Sequence, residues 1–279
     1  MTQKRLILII LTIAILFSSC SFFESEEYSG DERGMVYFIA CGQSDAVLMR
    51  SKGIYAMIDT GSKANERDVM DFLKKQKIKA IDYLFLSHPD EDHIGNASAI
   101  IKKYDVKKVV MGGVHTSNTY LKLLQTIEKE VGEYTEPSVG DVFNVGEFKI
   151  EILGPVSQYK ETNNASVVMK AILDKTSILF TGDMESKAEK DLLLSGADLR
   201  ADVLKVGHHG SKTGTGANFL KAVSPQYAVI MCGSDNNYDH PHPDTLKRLK
   251  NVTVYRTDLD GTVTLLTDGK NIEIRRGDS

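Results

Sequence analysis

The chain has 279 residues, 42% hydrophobic and 26% charged, with a formal net charge of −4. This is ordinary globular composition, with enough length for one large core. The acidic balance excludes a protein that coats nucleic acid through global positive charge, and three cysteines are too few for a disulfide framework.

The first twenty residues differ from the rest. Lys4 and Arg5 precede the apolar run LILIILTIAILF, which is followed by SSC. A run of about a dozen residues is too short to cross a bilayer as a relaxed helix and matches the apolar region of an export signal. The ending LFSSC resembles a bacterial lipobox, with Phe17 where that pattern most often has leucine. The resemblance implies lipidation of Cys20 and hence an extracytoplasmic lipoprotein anchored to the membrane, the alternative being a secreted protein. Residues 21–34 (SFFESEEYSGDERG) are polar and acidic, as suits a tether, and the domain proper is expected over 35–279. With Cys20 assigned to the anchor, Cys41 and Cys232 lie in apolar strand-like contexts and read as buried free thiols.

Beyond the tether, MVYFIA, DAVLMR and IYAMID predict short strands separated by CGQS and SKG turns, an antiparallel opening to a sheet. ERDVMDFLKKQ places Val69, Phe72 and Leu73 at helical spacing, and the strand IDYLFLS follows. The alternation continues with a helix over IGNASAIIKKY, a strand at KKVVM and a helix over NTYLKLLQTIEKEV. FKIEIL, SVVMKAIL and SILFTGD predict consecutive strands, then come a helix over ESKAEKDLLLS and the strand DVLKVG. The final third predicts a helix, the strand YAVIMC, a helix over DTLKRLK, the strand VTVYRT and a terminal hairpin, GTVTLL/KNIEIRR. Two β-rich blocks, each followed by helices, predict an α/β fold of two sheets packed face to face with helices outside, a four-layer αββα sandwich.

One stretch demands chemistry. SHPDEDHIGN (87–96) sets two histidines around three acidic residues, directly behind an apolar strand. Unpaired carboxylates crowded there would repel one another and lose hydration, and a divalent cation would compensate them. A strand ending at Leu86 delivers alternate residues into one cleft, while the small residues after His93 let a helix start close by. Imidazole and carboxylate donors together suit zinc, manganese or iron. Helix capping alone would explain Asp92, but not His88 and His93 together.

The spacing His88-x-Asp90-x-Asp92-His93 resembles the HxHxDH signature of the metallo-β-lactamase superfamily, with Asp90 in the second histidine's place. HPDEDHIGN is similar to the HPDxDHIGG of the hydrolase domain of ComEC-type DNA-uptake (competence) proteins. In the same order as in that family follow GQSDA (42–46), MIDTG (57–61), NNAS (163–166), FTGD (180–183), DVLKVGHHGS (202–211), NNYDHPHP (236–243) and YRTDLDGT (255–262). The similarity spans residues 35–266 and implies a metallo-β-lactamase-like fold. It also implies a ligand set: His88 and Asp90 on a first metal, Asp92 and His93 on a second, and Asp183 bridging the two. One of His208 and His209 completes the second site; His209 is favoured, with His208 behind it orienting a ligand or the substrate.

Where many members of the superfamily carry another histidine, this chain has Asn163 and Asn164, either of which would reach the metal, bind phosphate or shape a turn. The first site is therefore the weaker, and the cofactor is one or two divalent ions, zinc or manganese. Asp45 and Asp59 would support the ligating histidines from behind. His240 would stabilise developing charge or protonate a leaving group, and Ser211 and Lys212 are further oxyanion candidates. Ala40, Cys41 and Ser44 depart from the family, which usually has Asp, Val and Gly there.

These features lead to the expectation of metal-assisted hydrolysis by a metal-activated hydroxide, with Asp92, Asp183, His208 and His240 as the catalytic residues. The resemblance implies a phosphodiester substrate, single-stranded DNA outside the membrane being the natural candidate. A phosphorylcholine-type ester of the cell envelope is the enzymatic alternative, and a metal-stabilised surface binding module the non-enzymatic one. Asp90 and the asparagine pair disfavour β-lactam hydrolysis. Mass spectrometry of the mature N-terminus is expected to find a lipid-modified Cys20 as the first residue; an unmodified Cys20, or a start elsewhere, would contradict the anchor.

Overall fold

A computed structural model describes residues 33–277. The signal-like segment, Cys20 and the tether up to residue 32 lie outside the described residues. Among the described residues no helix is long and apolar enough to cross a membrane.

Strands β1 (Gly34–Phe38), β2 (Ala46–Ser51) and β3 (Ile54–Thr60) form an antiparallel meander. After helix α1 (Glu66–Lys75) and the short β4 (Ala80–Ile81), β5 (Tyr83–Leu86) pairs parallel to β3. Helices α2 (Glu91–Ile94) and α3 (Ala97–Lys103) lead to β6 (Asp105–Val106), which pairs only with β4, and to β7 (Val109–Met111). Helix α4 (Asn118–Glu130) then delivers β8 (Tyr134–Thr135), parallel to β7 at the sheet edge.

The second sheet repeats this plan. Strands β9 (Val142–Val145), β10 (Phe148–Gly154), β11 (Val168–Leu173) and β12 (Thr176–Phe180) are antiparallel. They continue in parallel through α5 (Ser186–Leu194), β13 (Val203–Lys205), α6 (Ala217–Val223), β14 (Tyr227–Ile230), α7 (Pro243–Arg248) and β15 (Thr253–Arg256). A helical turn, α8 (Thr257–Asp260), returns the chain to the first sheet, where β16 (Val263–Thr267) and β17 (Ile272–Arg276) complete the order β17-β16-β1-β2-β3-β5-β7-β8.

The alternation of strand residues explains why the sheets face each other. Val36, Phe38, Met49, Ile58 and Phe85 from one sheet share a core with Phe148, Ile150, Met169, Phe180 and Val229 from the other. Phe38 stacks on Phe180 across the interface with ring centroids 6.1 Å apart, and burying each such ring contributes about 1.5–3 kcal/mol. Gly34 sits in this interface because space requires it: a Cβ there would lie 2.5 Å from the Phe148 ring. The opposite face of the second sheet, through Val168, Leu179 and Leu204, takes Ala188 and Leu192 of α5 and Phe219 and Val223 of α6. On the first sheet, Tyr37 meets Phe72 of α1 edge-on at 5.4 Å, so the layers run αββα.

The structure differs from the sequence reading in four places. The helix expected over 94–104 is two helices, because the buried Asn96 turns its amide back to donate to the carbonyls of Thr60 (2.9 Å) and Ser62 (2.8 Å). β8 and β9 lie around a Pro- and Gly-containing stretch that masks their short patterns. α8 interrupts the expected run from VTVYRT into the final hairpin. The chain is already built into the fold before Met35: Arg33 pairs with Glu147 and Asp174, and β1 begins at Gly34.

Candidate metal centre

Both sheets turn the carboxyl ends of their central parallel strands toward one cleft. The loop after β5 carries His88, Asp90, Asp92 and His93; the turn after β12 carries Asp183; the turn after β13 carries His208 and His209. Each is fixed locally. The Ser87 N–H and hydroxyl both donate to the Asp59 carboxylate at 2.7 Å, which pins the start of the loop to the end of β3. Asp90 occupies the N-cap position of α2 yet makes no side-chain capping bond, so capping does not account for the carboxylates of this loop.

Asp59 also accepts from His93 Nδ1 at 2.8 Å, and this leaves His93 Nε2 facing the cleft. His209 is oriented in the same manner, with Nδ1 donating to the Met231 carbonyl at 2.9 Å. Its Nε2 lies 3.1 Å from Asp92 Oδ2 and 3.5 Å from Asp183 Oδ2, while His93 Nε2 lies 3.3 Å from Asp183 Oδ1. Asp92, His93, Asp183 and His209 thus present one donor atom each, all within 4.8 Å of one another. His88 stands beside this group, its ring 4.0 Å from that of His93 and its Nε2 3.7 Å from Asp90 Oδ2. Asp90 also accepts from Thr162 Oγ1 at 3.1 Å.

Whether these residues fit a metal ion is decided by their unmet bonding capacity. Buried polar atoms normally find partners. Yet His88 Nε2, His93 Nε2, Asp183 Oδ1 and Asp45 Oδ1 are buried with no hydrogen-bond partner among the described residues, and the first three face the same cleft. Imidazole nitrogens and carboxylate oxygens converging with free lone pairs fit a divalent ion of the zinc, manganese or iron kind.

Charge holds the cluster together. Burial opposes the charged form of His93, but Asp183, Asp59 and Asp92 outweigh it and hold the imidazolium pKa well above its ordinary value. His209 is raised to about 10 against the same burial cost by Asp183, Asp45 and Asp92. His88 goes the other way, down to about 3, from burial and the charge on His93. Burial would lift Asp183, but His209, His93 and Lys205 hold it well below the carboxylate range.

Lys205 is the site residue that sequence reasoning missed. At the end of β13 it is only 2% exposed, and its ammonium pairs with Asp45, donates to the Gly182 carbonyl at 3.0 Å and lies 3.7 Å from Asp183 Oδ1. Its one signal in the sequence is a lone charge inside the apolar run VLKV (203–206). Asp45, in turn, lies 3.3 Å from His209 Nδ1 and is 4.0 Å from His93 Nδ1, so Asp45 and Asp59 both stand behind the histidines.

The two adjacent histidines do not diverge as neighbours on a strand end would. β13 stops at Lys205, and His208 (φ 49°) and His209 (φ 51°) adopt the left-handed conformation within a tight turn. Both rings consequently approach Asp183, His208 Nε2 at 3.8 Å, while His208 Nδ1 lies 3.2 Å from Glu185. Asp183 follows Gly182, where φ is +50° and a Cβ would lie 2.9 Å from Ser166 and 3.0 Å from Ser87. His240 lies at the mouth, its ring 5.5 Å from that of His208 and its Nδ1 3.2 Å from Gln43 Nε2. Burial and the neighbouring His208 lower its pKa to about 4, which favours the uncharged imidazole at neutral pH.

Asn164 is buried with Oδ1 accepting from Ala188 N (3.2 Å) and Nδ2 turned to Glu185 (3.5 Å), so it ties the turn to α5; Asn163 contributes to that turn through its carbonyl. Ser211 Oγ pairs with Thr213 Oγ1 at 2.9 Å, and Lys212 is exposed. Cys41 and Cys232 are both buried free thiols.

Known proteins resemble this chain in sequence and fold. The model of the metallo-beta-lactamase superfamily matches residues 39–234. The chain is 33% identical over 253 residues to ComE operon protein 3 of Bacillus subtilis, covering 82% of this chain and 32% of that protein. It is 30% identical over 227 residues to Competence protein ComA of Neisseria gonorrhoeae, covering 80% and 30%. The chain thus spans about a third of the length of these curated relatives. Among solved structures, the metallo-beta-lactamase fold protein YhfI from Bacillus subtilis shares the fold, with a TM-score of 0.58 at 13% identity over 85% of this chain and 100% of that one.

Replacing Lys205 by methionine would leave Asp45 and Asp183 buried without their cation. Urea unfolding of the metal-free protein is expected to lose about 3–5 kcal/mol, the cost of breaking a buried pair from one side. An unchanged midpoint and slope would show that the ammonium is dispensable.

Proposed function

Because the chain belongs to the metallo-beta-lactamase superfamily, we propose that it is an extracytoplasmic metal-dependent phosphodiesterase held at the membrane by a lipidated Cys20. The observation that carries the hydrolytic reading is the convergence of Asp92, His93, Asp183 and His209, beside His88 and Asp90, with His88 Nε2, His93 Nε2 and Asp183 Oδ1 buried and without a hydrogen-bond partner among the described residues. The similarity to competence proteins supports a phosphodiester, with single-stranded DNA as substrate. The lipobox-like LFSSC supports the location.

A divalent ion held by these residues supplies a Lewis acid for the substrate oxygen and acidifies a coordinated water. The chain's own side chains do the rest. Asp59 and the Met231 carbonyl fix the tautomers of His93 and His209, so that both Nε2 atoms stay available as donors. Asp183, within reach of His93, His208 and His209, would hold the ion between those side chains, and Lys205 offsets the excess of carboxylate charge behind it.

His208 and His240 handle protons in this reading. His208 lies between Asp183 and Glu185 and is partly open to solvent, a path by which a proton leaves the centre. His240, uncharged and with Nδ1 engaged by the Gln43 amide, has Nε2–H available to donate to an oxygen of the substrate or leaving group.

The experiment is a substrate screen. The full-length protein, supplied with manganese or zinc, is assayed against oligothymidylate, bis-p-nitrophenyl phosphate, a phosphocholine ester and a β-lactam. The phosphodiesters are expected to turn over, and Asp183→Ala to lower the rate by about a thousandfold. Phosphodiester cleavage no faster than in that variant would defeat the proposal.

A further inference from the structure

The loop between β14 and α7 contains a feature that hydrolytic chemistry does not use. Tyr238 is 68% exposed at the mouth of the cleft, one of few large aromatic side chains in the described residues presented to solvent to that degree. Its ring stacks on His240, with centroids 5.7 Å apart and planes 27° apart. His240 in turn stacks toward His209, at 6.5 Å and 28°. Three rings therefore step outward from a donor of the metal centre to the surface, with tilts of 28° and 27° between successive planes, and the outermost is open to water.

The step is held rigidly. Asn236 donates from Nδ2 to the carbonyls of Gly233 (2.8 Å) and His240 (2.6 Å), and its Oδ1 accepts from the backbone N–H of Tyr238 (3.1 Å) and of His240 (3.0 Å). One side chain thus ties down the backbone that carries both rings. The base of the loop is tied to the cleft as well: Gln43 accepts from Gly233 N at 3.1 Å while its amide nitrogen meets His240. An exposed aromatic ring on a pre-ordered loop loses little conformational freedom when a flat partner lies on it.

We propose that Tyr238 is a stacking platform for an unpaired nucleobase one or two nucleotides along the strand from the scissile phosphate, and that it selects single-stranded over duplex nucleic acid. This rests on the phosphodiesterase reading above and names what that site recognises. The base lies against the open face of Tyr238, and the sugar–phosphate backbone runs from it toward the centre two ring steps inward. In a duplex the same face of the base is covered by its neighbours, so double-stranded substrate must first be opened. A quaternary ammonium, as in choline, is the other ligand that aromatic rings attract, but it is held by several faces converging on one point. Here the rings lie in series and offer one face.

The test uses full-length protein with manganese and three oligonucleotides of equal length: oligothymidylate, the same backbone with abasic residues, and a duplex. The parent is expected to favour thymidylate over the abasic oligomer by about tenfold in kcat/KM, carried by KM, since the abasic oligomer lacks the base that stacks on the ring. Tyr238→Ala is expected to bring that preference close to one, and Tyr238→Phe, which keeps the ring, to retain it. Binding of labelled oligothymidylate in chelator, read by fluorescence anisotropy, should weaken in the same order without any turnover.

A preference unchanged by Tyr238→Ala would overturn the platform, as would equal losses on the thymidylate and abasic oligomers. A weakened KM for a phosphocholine ester alone would assign the ring to an ammonium instead. If the parent cleaves none of the oligonucleotides, the phosphodiesterase reading falls and the platform with it. Cleavage without dependence on Tyr238 removes the platform only.

Discussion

Everything in this structure is arranged around a pocket in which buried charges of opposite sign must nearly cancel. Asp45, Asp59 and Asp183 are almost fully buried, and Asp92 lies beside them. Removing several carboxylates from water without compensation would cost more than a fold of this size has in net stability. Lys205 and the two raised imidazoles of His93 and His209 compensate in part. A divalent ion would do so more directly, displacing the proton on His93 and engaging the atoms of His88, His93 and Asp183 that have no hydrogen-bond partner among the described residues.

The sandwich is the device that brings these groups together. Each sheet runs antiparallel first and parallel afterwards, so the carboxyl ends of β5, β12 and β13 open on the same edge. The apolar core between the sheets keeps those edges in register, with Phe38 and Phe180 in direct contact a few residues from Asp45 and Asp183. Local strain completes the site. Asp59, His208 and His209 all hold positive φ, a conformation that side chains beyond glycine rarely adopt, and in each case a residue of the cleft is the one so held.

The layer order and the ligand loop are legible in the sequence for different reasons. Apolar periodicity marks nearly every long element. The spacing of His88, Asp90, Asp92 and His93 marks the metal loop, because carboxylates crowded beside imidazoles behind an apolar strand call for a cation. Geometry set by tertiary contacts leaves no such mark. Lys205 sits in an apolar run like any lysine at a strand end, and only the fold reveals that it points between Asp45 and Asp183. Adjacent histidines on a strand would face opposite ways, so the left-handed turn that brings both to Asp183 has no trace in the sequence. The place of Asn164 in the family pattern points to metal or phosphate, whereas its amide is taken up by Ala188 and Glu185.

Metal binding itself is the most direct check. Zinc or manganese titrated calorimetrically into chelator-treated full-length protein should bind with at least one ion per chain and release protons. The protons are those that Asp183, Asp59 and Asp45 hold on His93 and His209, so affinity should rise with pH, by about tenfold per pH unit for each proton displaced. Protein that takes up no ion at millimolar concentrations, or binds one with no dependence on pH, would contradict the electrostatic origin of the site.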